Sequence, residues 1–469
     1  MSFFKSKDPV DKSKLLFSTK ALITITVPLV LRQILGVMVG TIDSVMVAYT
    51  GESAVAGVSL VCTLDILLII FFTSMVAGGA VVIAHALGKK DQQEIQESAK
   101  QLLYITTTIS VVLTVLVILL RRPLLRLLFG DVDEQVMSHA LDYFFWVALS
   151  FPMLAIYESI SACFRSAGNT VLSLIVSLTA NLLNVAANAF LIIGLDMGAA
   201  GAGLATLFSR TVATIIMLVL IHRKKYAVHI ERLLHYKPDF TIIKRILHIG
   251  VPNGVENAMF QFGKLLTQTL IATMGTSVIA ANSVALTISN FQYMTGTACS
   301  TVMITVVGRC IGAKEKEQAK YYSRKILAIN YGLLWTVILG TLIFLNPLVG
   351  VYNLSPESAE LAKTLIVRHA LIAAVIWPLG FMLPSTFRSA GDVRFSMVVS
   401  TTCMWVLRVA GAYLLALDGI SVFGWFTIPC LGMGIIGVWY AMFLDWIFRC
   451  SLFFIRYCKG TWLQTKFAS

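Results

Sequence analysis

CFRSAGNT at residues 163–170 and TFRSAGDV at residues 386–393 spell one polar turn twice, 223 residues apart in a chain of 469. Other echoes keep the same order. VPLVLRQ (27–33) matches VPNGVEN (251–257), TGESAVAGVSL (50–60) matches MGTSVIAANSV (274–284), and LGKKDQQE (87–94) matches IGAKEKEQ (311–318), each 224 apart. MGAAGAG (197–203) matches MGIIGVW (433–439) at 236, across a longer loop. A period this long means duplicated domains rather than a solenoid. Within each copy, FRSAG is expected to end a helix on glycine and to set one arginine at the cytoplasmic interface, a structural role.

Composition fixes the solvent. The chain is 13% charged and 57% hydrophobic, with mean hydropathy +0.82, where a soluble chain is about 25% charged. Uncharged windows such as 166–195, 265–308 and 419–444 each exceed the ~20 residues that cross a bilayer. The reading is an all-α polytopic membrane protein with twelve spans: 21–49, 54–86, 101–120, 137–163, 171–195, 199–221, 247–273, 277–308, 326–346, 362–386, 395–417 and 432–456. The first is too long for a signal-peptide core and lacks a cleavage site, so it reads as a retained helix.

The spans divide into a cytoplasmic tail (1–20), an N-lobe (21–221), an amphipathic cytoplasmic linker (222–245), a C-lobe (246–456) and a second tail (457–469). Six spans per lobe return the chain to its starting side. The repeats are therefore expected to be parallel, related by a pseudo-twofold axis along the membrane normal with the substrate path between them. The net charge of +13 is a topology signal, since 26 of 37 lysines and arginines fall in the tails and the even-to-odd loops. Both termini are then cytoplasmic, and the basic excess meets anionic lipid rather than nucleic acid. Eight dispersed cysteines without CxxC read as small apolar helix residues.

A charge at the bilayer centre costs on the order of 2.5 kcal/mol or more, so each needs a reason. Asp43 shares a helix face with Arg32, Gly36 and Gly40. It is either a switchable proton or Na⁺ site or half of a static ion pair. Asn181, Asn184 and Asn188 line one side of the fifth span, either as oxygen ligands or as interhelical glue. The seventh span carries a stripe of Asn253, Asn257, Gln261, Lys264 and Gln268, with Glu256 beside it, which is expected to face a wet cavity. Asp65 and Glu158 either line the N-lobe cavity or pair with Arg32 or Arg210. Asp445 and Arg449, spaced i, i+4, read as a mutual pair.

At these residues the chain resembles the multidrug and toxic compound extrusion (MATE) transporters. The resemblance rests on the Pro-led first and seventh spans, the acid of the first span, LGKKD and IGAKE, RSAGN and RSAGD, NLLNVAAN and MGAAGAGLAT. It covers roughly residues 16–456 and implies two six-helix lobes, alternating access, and export of organic cations or drugs coupled to Na⁺ or H⁺ entry. Asp43 falls at the family's ion-binding acid. The family's DinF-like branch places its N-lobe site at positions matching Asn184, Asn188 and Thr206, with Asn188 replacing an acid. NorM-like members carry a glutamate where Phe260 stands here, and an aspartate in the tenth span that this chain lacks. The resemblance thus implies a coupling-ion site of Asp43, Asn184, Asn188 and Thr206. The candidate substrate cavity comprises Glu256, Asn253, Asn257, Phe260, Gln261, Lys264, Gln268, Arg32 and Glu158.

Expected partners are small cationic or amphipathic molecules and membrane lipids, with no nucleic acid, no cofactor, no metal beyond Na⁺, and a monomeric state. The expected location is the bacterial inner membrane. A lipid-linked oligosaccharide flippase of the same superfamily is the alternative. A membrane enzyme ranks lower because HExxH and GxSxG are absent, and ATP drive is set aside because GxxxxGK[ST] is absent.

Overall fold

The structure, a computed structural model, describes residues 15–130, 132–231, 233, 237–422 and 426–465; the side chains of 39–45 and 420–428 lie outside that description. The chain forms two compact units, Phe17–Gly254 and Val255–Ser469 with the N-terminal sixteen residues.

The first unit contains α1 (Thr19–Ala48), α2 (Glu52–Lys89), α3 (Gln92–Phe129), α4 (Glu134–Leu149), α5 (Phe151–Ser166), α6 (Thr170–Asn188) and α7 (Gly198–Ile221). α6 runs on as a π-helical turn, Ala189–Gly194. The fourth span is broken: α4 and α5 meet at 43°. Ser150 stands at the break, and Pro152 lies in the first turn of α5, where its missing N–H costs nothing. Side-chain caps open several helices. Asp91 accepts from the Gln93 and Glu94 amides, and Asn169 accepts from Leu172. Gly203 lets α7 approach α4 so closely that a Cβ would sit 2.9 Å from that of Trp146. Phe72, Phe144 and Phe151 are fully buried in the resulting core.

Helix α8 (Phe240–Ala272) follows, and the boundary between the units falls inside it. The second unit continues with α9 (Thr276–Gly312), α10 (Lys316–Ile343), α11 (Leu345–Gly350), α12 (Pro356–Trp377), α13 (Leu383–Ser389), α14 (Val393–Thr402), α15 (Gly411–Ala416) and α16 (Gly434–Lys459). π-helical segments join α12 to α13 (Pro378–Met382) and α14 to α15 (Cys403–Ala410). An antiparallel hairpin, β1 (Gly419–Val422) with β2 (Phe426–Pro429), pairs Gly419 with Pro429. It fills the loop that lengthens the last repeat offset.

Eleven spans among the described residues are long and apolar enough to cross a membrane, counting bent α4–α5 as one. Helix α8, 33 residues long, is long enough to cross but less apolar than these eleven because of its polar stripe.

The backbone repeats as the sequence does. Non-regular positive φ values recur in pairs: Gly51 and Gly275 (102° and 98°), Lys90 and Lys314 (60° and 62°), Gly168 and Gly391 (83° and 80°), Gly198 and Gly434 (55° and 56°). Each FRSAG ends its helix identically. The Asn169 amide donates to the Phe164 carbonyl at 2.9 Å and Asp392 donates to Phe387 at 2.9 Å, around a left-handed glycine. This is the paired-bond C-cap that only glycine adopts without strain.

The linker after α7 docks on the first turns of α3. Gln92 Nε2 donates to the Ala227 carbonyl (3.2 Å), Gln96 bonds His229 (3.1 Å) and Gln101 Nε2 donates to the Lys237 carbonyl (2.7 Å). Tyr104 donates to the Leu233 carbonyl. Arg245, entering α8, pairs with Glu94 at 2.7 Å.

Candidate functional site

Inside the first unit, α1, α2, α4, α5, α6 and α7 line a partly open cavity of about 610 Å³. Its polar wall begins on α6. A step of four residues places Asn184 and Asn188 on one face, and both are buried. The Asn188 amide donates to Asn184 Oδ1 at 3.3 Å, and the Asn184 amide donates to Ser209 Oγ at 3.4 Å. Ser209 in turn donates to the Thr206 carbonyl at 3.1 Å. Asn181 and Thr206 also line the cavity. The Thr206 hydroxyl proton is spent on the Ala202 carbonyl at 3.0 Å, which leaves its oxygen lone pairs toward other partners.

The cavity acids are held by arginines. Glu158, on α5, accepts from Arg32 at 2.6 Å and from Arg165 at 3.3 Å. Asp65, on α2, pairs with Arg210 at 3.1 Å, and Arg210 also donates to Ser150 Oγ at 2.7 Å. Asp65 Oδ1 has no hydrogen-bond partner among the described residues. The sequence posed lining and pairing as alternatives for Asp65 and Glu158, and the structure has both at once. Asp43 lies on α1, but its side chain is outside the described residues. Val47, one helical turn later, lines the cavity, as does Arg32.

The candidate residues of the seventh span separate in space. Asn253 is buried and donates to the Ser74 carbonyl within the first unit at 3.3 Å. Glu256 is buried in the second unit, where it pairs with Arg388 at 2.9 Å and accepts from Ser396 at 3.3 Å. Glu256 therefore offsets Arg388, the FRSAG arginine, and not Lys264. Asn257, Gln261 and Gln268 are half-buried, and Lys264 is exposed. Phe260 lies between two guanidiniums, its centroid 5.5 Å from Arg408 and 5.6 Å from Arg449. Asp445 and Arg449 form the expected buried pair at 2.8 Å.

Of the aromatic residues near that stripe, Tyr293 and Trp377 stack at 5.4 Å and Phe262 and Phe291 are exposed. Sequence reasoning offered Arg32 for Glu158 but missed its second partner, Arg165, and the partner of Glu256, Arg388. The signal was present, since FRSAG repeats its arginine as faithfully as its glycine.

A polytopic helical bundle of two repeats, with a polar cavity walled by amides and balanced ion pairs, is the architecture of a membrane transporter. The MatE family model matches twice, over residues 28–190 and 252–414, and the chain belongs to the MatE family. It is 26% identical to the uncharacterized transporter YisQ of Bacillus subtilis (strain 168) over 67% of each chain. It is 25% identical to the probable multidrug resistance protein NorM of Thermotoga maritima, over 71% of this chain and 70% of that one. A crystal structure of MATE in the bent conformation superposes with a TM-score of 0.84 at 18% identity, covering 96% of this chain and 97% of that one.

Proposed function

We propose that the chain is a secondary active exporter in which Na⁺ or H⁺ entry drives expulsion of drug-like amphiphiles by alternating access. The observation that carries this reading is the cavity of the first unit, lined by amides and arginine-paired acids, in a chain of this family. Glu158 is neutralised by two arginines and Asp65 by one, so neither is poised to exchange a cation freely. Asp43 is the acid of the first span, and Asn184, Asn188 and Thr206, which line the cavity, supply neutral oxygens. A carboxylate with amide and hydroxyl oxygens suits a hard monovalent cation or a transferable proton. Coupling requires that ion and drug favour opposite-facing states, because only differential affinity shifts a two-state equilibrium.

Reconstitution into proteoliposomes with an imposed Na⁺ or pH gradient tests the reading. The wild type is expected to accumulate ethidium under one of the two gradients, and Asp43→Asn to fold normally but transport nothing above background. Wild-type rates from Asp43→Asn would remove the assignment.

A further inference from the structure

The second unit holds its own charges in a different balance. The three buried acids among its described residues are matched: Glu256 to Arg388 (2.9 Å), Asp445 to Arg449 (2.8 Å) and Asp392 to Arg456 (2.6 Å). Lys264 on α8 and Arg408 in the π segment have neither ion pair nor hydrogen bond among the described residues. They lie near one another. An added Cβ on Gly263 would overlap the Met404 side chain and come within 3.3 Å of Val409, so the residues preceding Lys264 and following Arg408 touch. Phe260 stands one turn before Lys264 on the same face of α8, 5.5 Å below the Arg408 guanidinium. With Arg449 they make three cations around Asp445, the one acid placed among them, an excess of positive charge that is costly within spans, and they gather where the helix widens into π geometry, a distortion frequent at functional sites.

We propose that Lys264, Arg408 and the Phe260 ring form an anion subsite that takes the carboxylate, sulfonate or phosphate of an aromatic amphiphile. The cations supply the missing counter-charge, and a ring column lies alongside for the apolar part. Phe260 meets Phe381 at 6.1 Å; Phe381 stacks on Trp377 at 5.4 Å and Trp377 on Tyr293 at 5.4 Å. Offset and edge contacts of this kind accept a further flat ring. The subsite refines the export reading by giving its cargo an acidic end, and it rests on that reading for its use but not for its binding chemistry.

The test is binding of fluorescein, an aromatic carboxylate, to the full chain in phosphatidylcholine nanodiscs, read by fluorescence anisotropy with no gradient. Lys264→Gln/Arg408→Gln is expected to weaken binding by about tenfold or more. Lys264→Gln alone, at an exposed side chain, moves it in the same direction and guards against a folding defect, while Lys264→Arg retains affinity. Ethidium, the cationic control, is expected to bind the double variant more tightly. Equal fluorescein affinity in wild type and double variant overturns the subsite, as does equal loss of both probes. Repeating the titration in phosphatidylglycerol discs separates the sources. Competition seen in wild type but not in the variant assigns a lipid headgroup as occupant, and its absence assigns a soluble amphiphile; either supports the anion chemistry. A protein that binds fluorescein yet moves no solute under any gradient leaves the subsite standing and removes the export reading.

Discussion

Glu158 takes one hydrogen bond from Arg32 and another from Arg165, with its side chain 10% exposed. Removing its charge leaves two guanidiniums facing each other across a half-buried site. Breaking a buried pair from one side costs about 3–5 kcal/mol. Glu158→Gln is therefore expected to lower the thermal unfolding midpoint in detergent, measured by intrinsic fluorescence, and Arg32→Met added to it to recover part of the loss. Glu256→Gln is expected to behave alike through Arg388, whose side chain is 17% exposed. The need for partners was legible in the sequence, because a charge in a span demands an explanation. The partners were legible only in part, since nothing tied Arg165 to Glu158 or Arg388 to Glu256. The helix rule reaches only three or four residues, which revealed Asp445 with Arg449; Arg32 and Arg210 could be named as candidates for Glu158 and Asp65, but which arginine met which acid, 126 positions apart for Arg32 and Glu158, needed the fold.

Helix ends were the most legible elements, because glycine and polar caps act locally. Gly168 and Gly391 sit at φ 83° and 80°, where a Cβ costs about 1–2 kcal/mol. Gly168→Ala and Gly391→Ala should each destabilise by about that amount, and by similar amounts, in denaturant titrations of the detergent-solubilised protein; a neutral result at either position would separate the two turns. Helix interiors were less transparent. Nothing in PLGFM or CMWVLRVA announces a π turn, since the register shift arises from packing and not from propensity. The break between α4 and α5 has a marker in Pro152, yet the span reads as one apolar run. Close approach is likewise invisible until the neighbour is known. A Cβ on Gly296 would overlap the Trp377 ring, which is itself stacked on Tyr293 and Phe381. Gly296→Ala is expected to cost about 1–3 kcal/mol and to alter near-ultraviolet circular dichroism as the indole leaves its stack.

At the scale of the molecule, the repeat period and the distribution of lysine and arginine were the informative signals, because both integrate over hundreds of residues. The period is kept in backbone angles as well as in residues, as Lys90 and Lys314 show. The charge distribution predicts both tails in the cytoplasm. Cys458, exposed at the end of α16, should react with a membrane-impermeant maleimide in inverted vesicles and stay protected in intact cells, whereas a cysteine placed at Ser355 should show the opposite pattern. The exchange of sign between halves has a further consequence. Position 32 holds arginine and its repeat counterpart, 256, holds glutamate, while the acid that answers Arg165 has no equivalent near Arg388, where Phe381 occupies the matching place. Copying the first helix of one half over that of the other by gene conversion would thus set Arg32's copy against Arg388 with no carboxylate between them. Whole halves could still be traded by recombination, since each carries the acid that answers its own FRSAG arginine. The duplicated copies are therefore free to drift apart in cargo chemistry, guarded from piecemeal homogenisation by electrostatic repulsion.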